Sequence, residues 1–484
     1  MYTKKSIKFT LIFLILTLTI FLFSCAKDSQ RNQNDTSSEN TAAGEAAKSE
    51  TTIITSNLPA VKLDRDFTII YPNGYKDSTE PGLIAEQETG DAINDAIYKR
   101  NLEIDEKFGV KIKALEGANQ NLGVDMRKYI QSGDDTIDLI LPHSGDGIAT
   151  LATSGLLYDW FDMEYVDFSK PWWNSSAAEN FLVGGKLVYA AGDICPTGVV
   201  ATLFNKNMMQ ELSLEDPYNY VFSGGWTFDK YSEFIKGAYR DLNGNGEADK
   251  EDVYGFVTTN SICYDMYFLW SGGLKIAQIN KEGRPELSLF GERLSALAEK
   301  VYNLVYNQDA YYDYPDRHHS ETHFINGRSL TGTCYVEAFG TLRSIEFDFG
   351  LLPLPKLDEA QENYCTFISA GLLAIPINIK EPENASIIIE ALAESSYKYY
   401  RPAYFDVTLS NKCLRDDESW NIFKTIQENK NFDIGYTFAE TKDLAFIIPN
   451  LIYGKKSTDV ASYYEKYAAK VQKELDNAYD SVSN

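Results

Sequence analysis

Within the stretch DLNGNGEADKED, oxygen-bearing side chains recur at Asp241, Asn243 and Asn245, followed by Glu247, Asp249 and Asp252, with Gly246 at the midpoint. Hard donors at every second residue around a sharp glycine turn have the spacing of a loop that wraps calcium. Asp241, Asn243 and Asn245 would offer side-chain oxygens, Glu247 its main-chain carbonyl, Asp249 the ninth position and Asp252 the last ligand. Calcium in a structural role is therefore the expected cofactor. The last position holds Asp where such loops usually hold Glu, which shortens its reach. The following DVYGFVTT reads as a strand, so the site would be a single one and not a paired sensor. The alternative is an acidic Asn-Gly turn without metal.

A second cluster, His318, His319, Glu321 and His323, sets His319 and His323 four residues apart, the spacing of a helical metal pair. No HExxH arises and no third ligand lies near, so the cluster reads as a solvated helix face. The chain has no GxSxG elbow, no Walker loop and no GxGxxG after a strand. No catalytic residue is expected. Acidic residues are plentiful, however, so a carboxylate pair of the kind used by glycoside hydrolases stays open on sequence grounds.

The first residues place Lys4, Lys5 and Lys8 before an uncharged run from Phe9 to Ser24, the layout of an export signal. The run ends in Leu-Phe-Ser-Cys25, which resembles the bacterial lipobox, where cleavage before Cys is coupled to lipidation of its sulfur. Residues 1–24 are thus expected to be a lipoprotein signal peptide, with Cys25 lipidated and the chain held on the extracytoplasmic face of the membrane. Residues 25–57 are polar, without an aromatic, and read as a flexible tether. The formal charge is -25, which excludes nucleic acid as a natural partner. Cys195, Cys263, Cys334, Cys365 and Cys413 form an odd set without a CxxC pair, so they cannot all pair with one another.

These groups need elements to hold them. DFTIIYP (66–72) alternates like a strand, DAINDAIYKRNLEIDEKF follows with helical periodicity, and VKIKAL (110–115) alternates again. A helix over 123–132 precedes TIDLILP (136–142), an apolar run suited to a strand buried on both faces. This is the order of an open α/β sheet, in which sites form beyond the carboxyl ends of the strands. GKLVYAAGD, VVATLFNKN, DVYGFVTT, SLTGTCYVEA and DFGLLPLP are further strand-like segments. A helix is predicted over 381–396, and the C-terminal segment is amphipathic, with Tyr463, Tyr467, Val471 and Leu475 spaced by four for packing.

In order, the segments GDAINDAIYKRNLEIDEKFGVKIK, GDDTIDLILPHSGDG, TSGLLYDW, GGKLVYAAGD, LFNKNMMQE, GGWTFDKYSEF, FGLLPLPK and SAGLLAIP resemble the extracellular solute-binding proteins of the maltodextrin-binding type. The resemblance implies two α/β lobes joined by crossing strands, with a ligand cleft between them. It places one lobe at 58–198 plus 352–400 and the other at 199–351 plus 401–484. It also implies a monomer that delivers a small ligand, a mono- or oligosaccharide, to the ABC permease subunits of an importer, without turnover. A secreted carbohydrate-active enzyme and a surface sensing receptor are the alternatives.

Sugar recognition needs aromatic faces against C–H surfaces and paired polar groups for hydroxyls. The loop after TIDLILP offers His143, Ser144 and Asp146, at the position of the family's ligand loop, although Asp146 could instead cap a helix. Of the adjacent Trp172 and Trp173, one is expected to pack and the other to line the cleft. Trp270, Tyr335 and Glu337 are further ligand candidates from the second lobe, with packing the competing role for Trp270. Trp226, ahead of an N-capping Thr227, reads as structural.

Overall fold

The computed structural model describes residues 54–483 except 74–81, 119–120, 146, 196, 198, 260–263, 315–316, 337–338 and 411–412, and it leaves the side chains of 313–318, 339–341 and 410 undescribed. The signal peptide, Cys25, nearly all of the tether, Asp146, Glu337 and the His318 side chain lie outside the described residues.

Strand β1 (Arg65–Tyr71) sinks Phe67, Ile69 and Ile70 completely. Helix α1 (Ala92–Phe108) follows, with Asp91 accepting from the amides of Ile93 and Asn94 at its start. Gly109 ends it at φ 68°, a left-handed turn that a Cβ would strain. β2 (Val110–Glu116), α2 (Leu122–Gln131) and β3 (Leu139–Ile140) complete a parallel sheet ordered β2-β1-β3. The apolar run 136–142 thus contributes only two ladder residues. Its lead-in is taken by Asp138, whose carboxylate pairs with Arg65 and accepts the Thr68 amide at 2.8 Å.

The chain next makes β4 (Ala190–Ala191) and passes directly into β5 (Val200–Asn205). Then come β6 (Tyr254–Thr259), β7 (Ala310–Tyr314), β8 (Ser329–Tyr335) and β9 (Phe349–Leu352). These last five form a second sheet ordered β7-β6-β8-β5-β9, with β6 parallel to its neighbours β7 and β8, and β5 antiparallel to β8 and β9. From β9 the chain returns to the first sheet as β10 (Leu372–Leu373), which pairs antiparallel with β4 and bridges β3 at Ile140–Ala374. Two segments, near 192–200 and 352–372, therefore cross between the sheets.

Helix α3 (Pro382–Ser395) packs on α1, α4 (Asp417–Glu428) packs on β9, α5 (Ile434–Phe438) is a single buried turn, and α6 (Val460–Ser483) closes the chain. Its stripe buries Tyr463, Val471 and Leu475, as the spacing of four requires. One compact unit spans Thr55–Asn484, and Leu58, Val61 and Leu63 pack on its core. No helix among the described residues is long and apolar enough to cross a membrane.

Candidate functional site

The parallel strands of the two sheets present their carboxyl ends toward one another beside the crossing segments. From the first sheet, the loop after β3 brings Ser144, whose amide and hydroxyl both donate to the Ser369 carbonyl at 2.7 Å. His143 stands beside it and accepts the Gly145 amide on Nδ1 at 3.0 Å. Burial, and then the nearby Lys442 ammonium, pull its pKa down to about 4, so the ring is neutral at physiological pH. Lys442 donates to the carbonyls of Tyr436, Ala439 (2.8 Å) and Ser144 (3.4 Å), tying this loop to α5.

From the second sheet, Tyr335 ends β8 and Tyr267 follows β6. Their hydroxyls are 2.7 Å apart and their rings meet edge to face at 5.9 Å. The Tyr267 hydroxyl also reaches Ser369 Oγ at 3.4 Å, joining the two sheet edges. Beneath them Trp270 stacks on Phe367 at 3.9 Å and 13°, with Tyr436 edge-on. Tyr335 and the neutral His143 keep partial exposure in this seam, while the hydroxyls of Ser144, Tyr267 and Ser369 are buried and bonded within it. Such groups suit a neutral polyhydroxylated ligand.

Of the expected ligand residues, Ser144 and Tyr335 are brought to facing sides of this seam. Trp270 is fully buried, its indole donating to Asp433 at 2.7 Å. Trp172 and Trp173 are both buried away from this seam, and both border the cavity described below. Two adjacent indoles share one core because the buried Glu390 accepts both N–H groups, at 3.0 and 2.8 Å. Trp226 is structural as read: its indole donates to the Pro353 carbonyl, and Thr227 caps the helix Phe228–Phe234. Sequence reasoning missed Tyr267, Ser369, Tyr436 and Lys442. Only Ser369 carried a signal, as the small residue opening SAGLLAIP.

In the acidic loop, Asp241 accepts the amides of Gly244 and Gly246 at 2.7 and 2.9 Å, and Gly246 takes φ 76°. Asn243 Oδ1 accepts from Asn245, and Asn245 Oδ1 from Glu247, while both side-chain amides donate to Asp249 Oδ2. Alternate residues thus turn about a common centre. Asp252 is buried and accepts from Leu242, Tyr239 and Asp249. It braces the loop from below. The donor set fits a hard cation through Asp241, Asn243, Asn245 and Asp249. Among the described residues no three His, Cys, Asp or Glu side chains are grouped to hold a metal by themselves. His323 faces inward, its Nε2 2.9 Å from the Arg328 carbonyl, with burial lowering its pKa to about 4.

A cavity of about 830 Å³ opens beside the crossing segments, between the Trp172–Asp193 and Tyr397–Phe405 stretches on one side and α4 on the other.

No protein-family model and no curated protein matches the sequence. Solved structures do match. UgpB from Mycobacterium tuberculosis, in complex with glycerophosphocholine, is 16% identical with a TM-score of 0.57, over 85% of this chain and 98% of that one. The cyclic alpha-maltosyl-1,6-maltose binding protein from Arthrobacter globiformis is 13% identical with a TM-score of 0.56, over 86% and 98%. This chain has the two-lobed solute-binding-protein fold. The substrate-binding protein Lmo0181 from Listeria monocytogenes, in complex with cycloalternan, matches similarly at 13% identity and a TM-score of 0.54, over 87% and 98%. In this fold the two sheets are the cores of the lobes and the crossing segments are the pivot between them.

Proposed function

We propose that this chain is the solute-capturing component of an ABC importer, holding a mono- or oligosaccharide between its lobes without turnover, lipidated on Cys25 and acting as a monomer at the outer membrane surface of the cell. Fold alone does not fix a ligand. The observation that carries the reading is the seam in which Tyr267, bonded to Tyr335 at the second sheet, reaches Ser369 of a crossing segment, which accepts from Ser144 after the first sheet. Tyr335 supplies an aromatic face for sugar C–H surface, and the hydroxyls supply the paired polar groups that discriminate stereochemistry. The Lmo0181 complex with cycloalternan and the cyclic alpha-maltosyl-1,6-maltose binding protein are consistent with that class for the fold.

The test is a thermal-shift screen against mono- and oligosaccharides. A ligand-specific rise in Tm with the sugar recovered intact is expected, because binding to the native state stabilises it by mass action. Tyr335→Ala should weaken affinity by about tenfold or more, as for a central aromatic anchor. A flat response to every saccharide sinks the ligand class, and cleaved product sinks binding without turnover.

The same reading includes calcium in the 241–252 loop, held by Asp241, Asn243, Asn245, the Glu247 carbonyl, Asp249 and Asp252. The support is the alternate-residue turn geometry and the all-oxygen donor set. Chelation should lower Tm and calcium should restore it, and Asp241→Ala should abolish that response. A Tm indifferent to chelation removes the metal from the account.

A further inference from the structure

The cavity beside the crossing segments shares no lining residue with the seam described above. One wall carries Trp172 and Tyr397, with Arg401 on the segment that packs on α1 beside them. The facing wall is one stripe of α4, with Trp420, Lys424 and Gln427 at helical spacing over the buried Phe423, while Ser419, Ile422 and Ile426 of the same helix are buried in the core. Trp420 is partly exposed and stacks on Phe423 at 5.5 Å and 14°, with the Lys424 ammonium 5.7 Å from its ring. Opposite, the Arg401 guanidinium lies 5.4 Å over Tyr397 and 3.7 Å from Asp193 Oδ2.

Asp193 Oδ2 is buried and accepts no hydrogen bond. Burial pushes this carboxyl up to about 6. A buried acceptor left without a donor is costly, and a ligand hydroxyl aimed at it would relieve that cost. Three carboxylates and four cationic side chains line the cavity, so its charge nearly balances and favours neither a strong anion nor a strong cation. The volume lies within the usual range of small-molecule sites, about 300–1,000 Å³.

We propose that this cavity is a second ligand site, taking a short neutral saccharide between the two walls with one hydroxyl donated to Asp193. Its walls belong to opposite lobes, so pivoting about the crossing segments changes its width. Occupancy here and occupancy of the seam are therefore coupled, by the same factor in both directions.

Saturation-transfer NMR of the full chain with glucose, maltose and maltotriose as probes tests this in a Tyr335→Ala background, where binding at the seam is about tenfold weaker. Transfer to at least one probe is expected to persist there, and adding Trp420→Ala is expected to weaken its binding about tenfold. Asp193→Ala should act in the same direction. Trp420 is a partly exposed residue, and an unchanged melting curve would show that its variant still folds. Absence of transfer from all three probes in Tyr335→Ala, or transfer unaffected by Trp420→Ala, overturns the proposal.

Discussion

Asp433→Ala is expected to destabilise the folded chain by about 4 kcal/mol, an order-of-magnitude sum over donors left unsatisfied in the core. Its buried carboxylate accepts the Trp270 indole and the Ile276 amide at 2.7 Å, the Gly435 amide at 2.8 Å and the Ala277 amide at 3.4 Å. One side chain thus caps α5, anchors Trp270 and holds the chain entering the 277–279 strand. Burial raises its carboxyl above the ordinary range against all four donors. Asp433→Asn keeps the shape and one acceptor, and should lose about half as much. The denaturant midpoint measures both. A midpoint for Asp433→Ala near that of the unsubstituted chain would show that these donors find other partners, and the packing account of Trp270 would fall with it.

Glu390→Ala should have the next largest effect, about 3 kcal/mol at acid pH, because it strands two adjacent buried indoles. Glu390 Oε1 accepts from Trp172, and Oε2 from Trp173 and the Asp167 amide. Burial outweighs those donors and raises its carboxyl to about 7. The folded pKa exceeds the unfolded one, so the native state holds an extra proton between about pH 4.5 and 7. Stability from this group is complete below about pH 4.5 and is lost as pH rises through about 7. The difference between Glu390→Ala and the unsubstituted chain should therefore shrink from pH 5 to pH 8, by up to about 3 kcal/mol from the shift in pKa. Melting curves across that range decide it, and a difference that grows with pH would reverse the assigned protonation.

Much of the architecture was legible beforehand because it depends on local periodicity. FTIIY and VKIKAL became strands, the pattern around DAINDAIYKRNLEIDEKF became α1, and the terminal stripe became α6. The strand expected over 136–142 shrank to Leu139–Ile140 because Asp138 serves an ion pair and the Thr68 amide instead of a ladder position. GKLVYAAGD divided into two short pairs, since its residues serve a hairpin and then the edge of the first sheet.

The site was less legible. Ser144 and Tyr335 could be picked out because each follows an apolar strand, and strand ends are where such sheets gather function. Tyr267 and Lys442 could not be, because nothing in YDMYF or TKDLAF distinguishes a seam residue from a packed one. The sequence by itself determined the strand and helix periods, the oxygen spacing of the 241–252 loop and the acidic charge, all of which depend on neighbours along the chain. Only the tertiary structure decided which aromatics face the seam and which vanish into the core. That choice rests on Glu390 and Asp433, buried carboxylates 217 and 163 residues from the indoles they accept, and such pairings exist only once the lobes have folded.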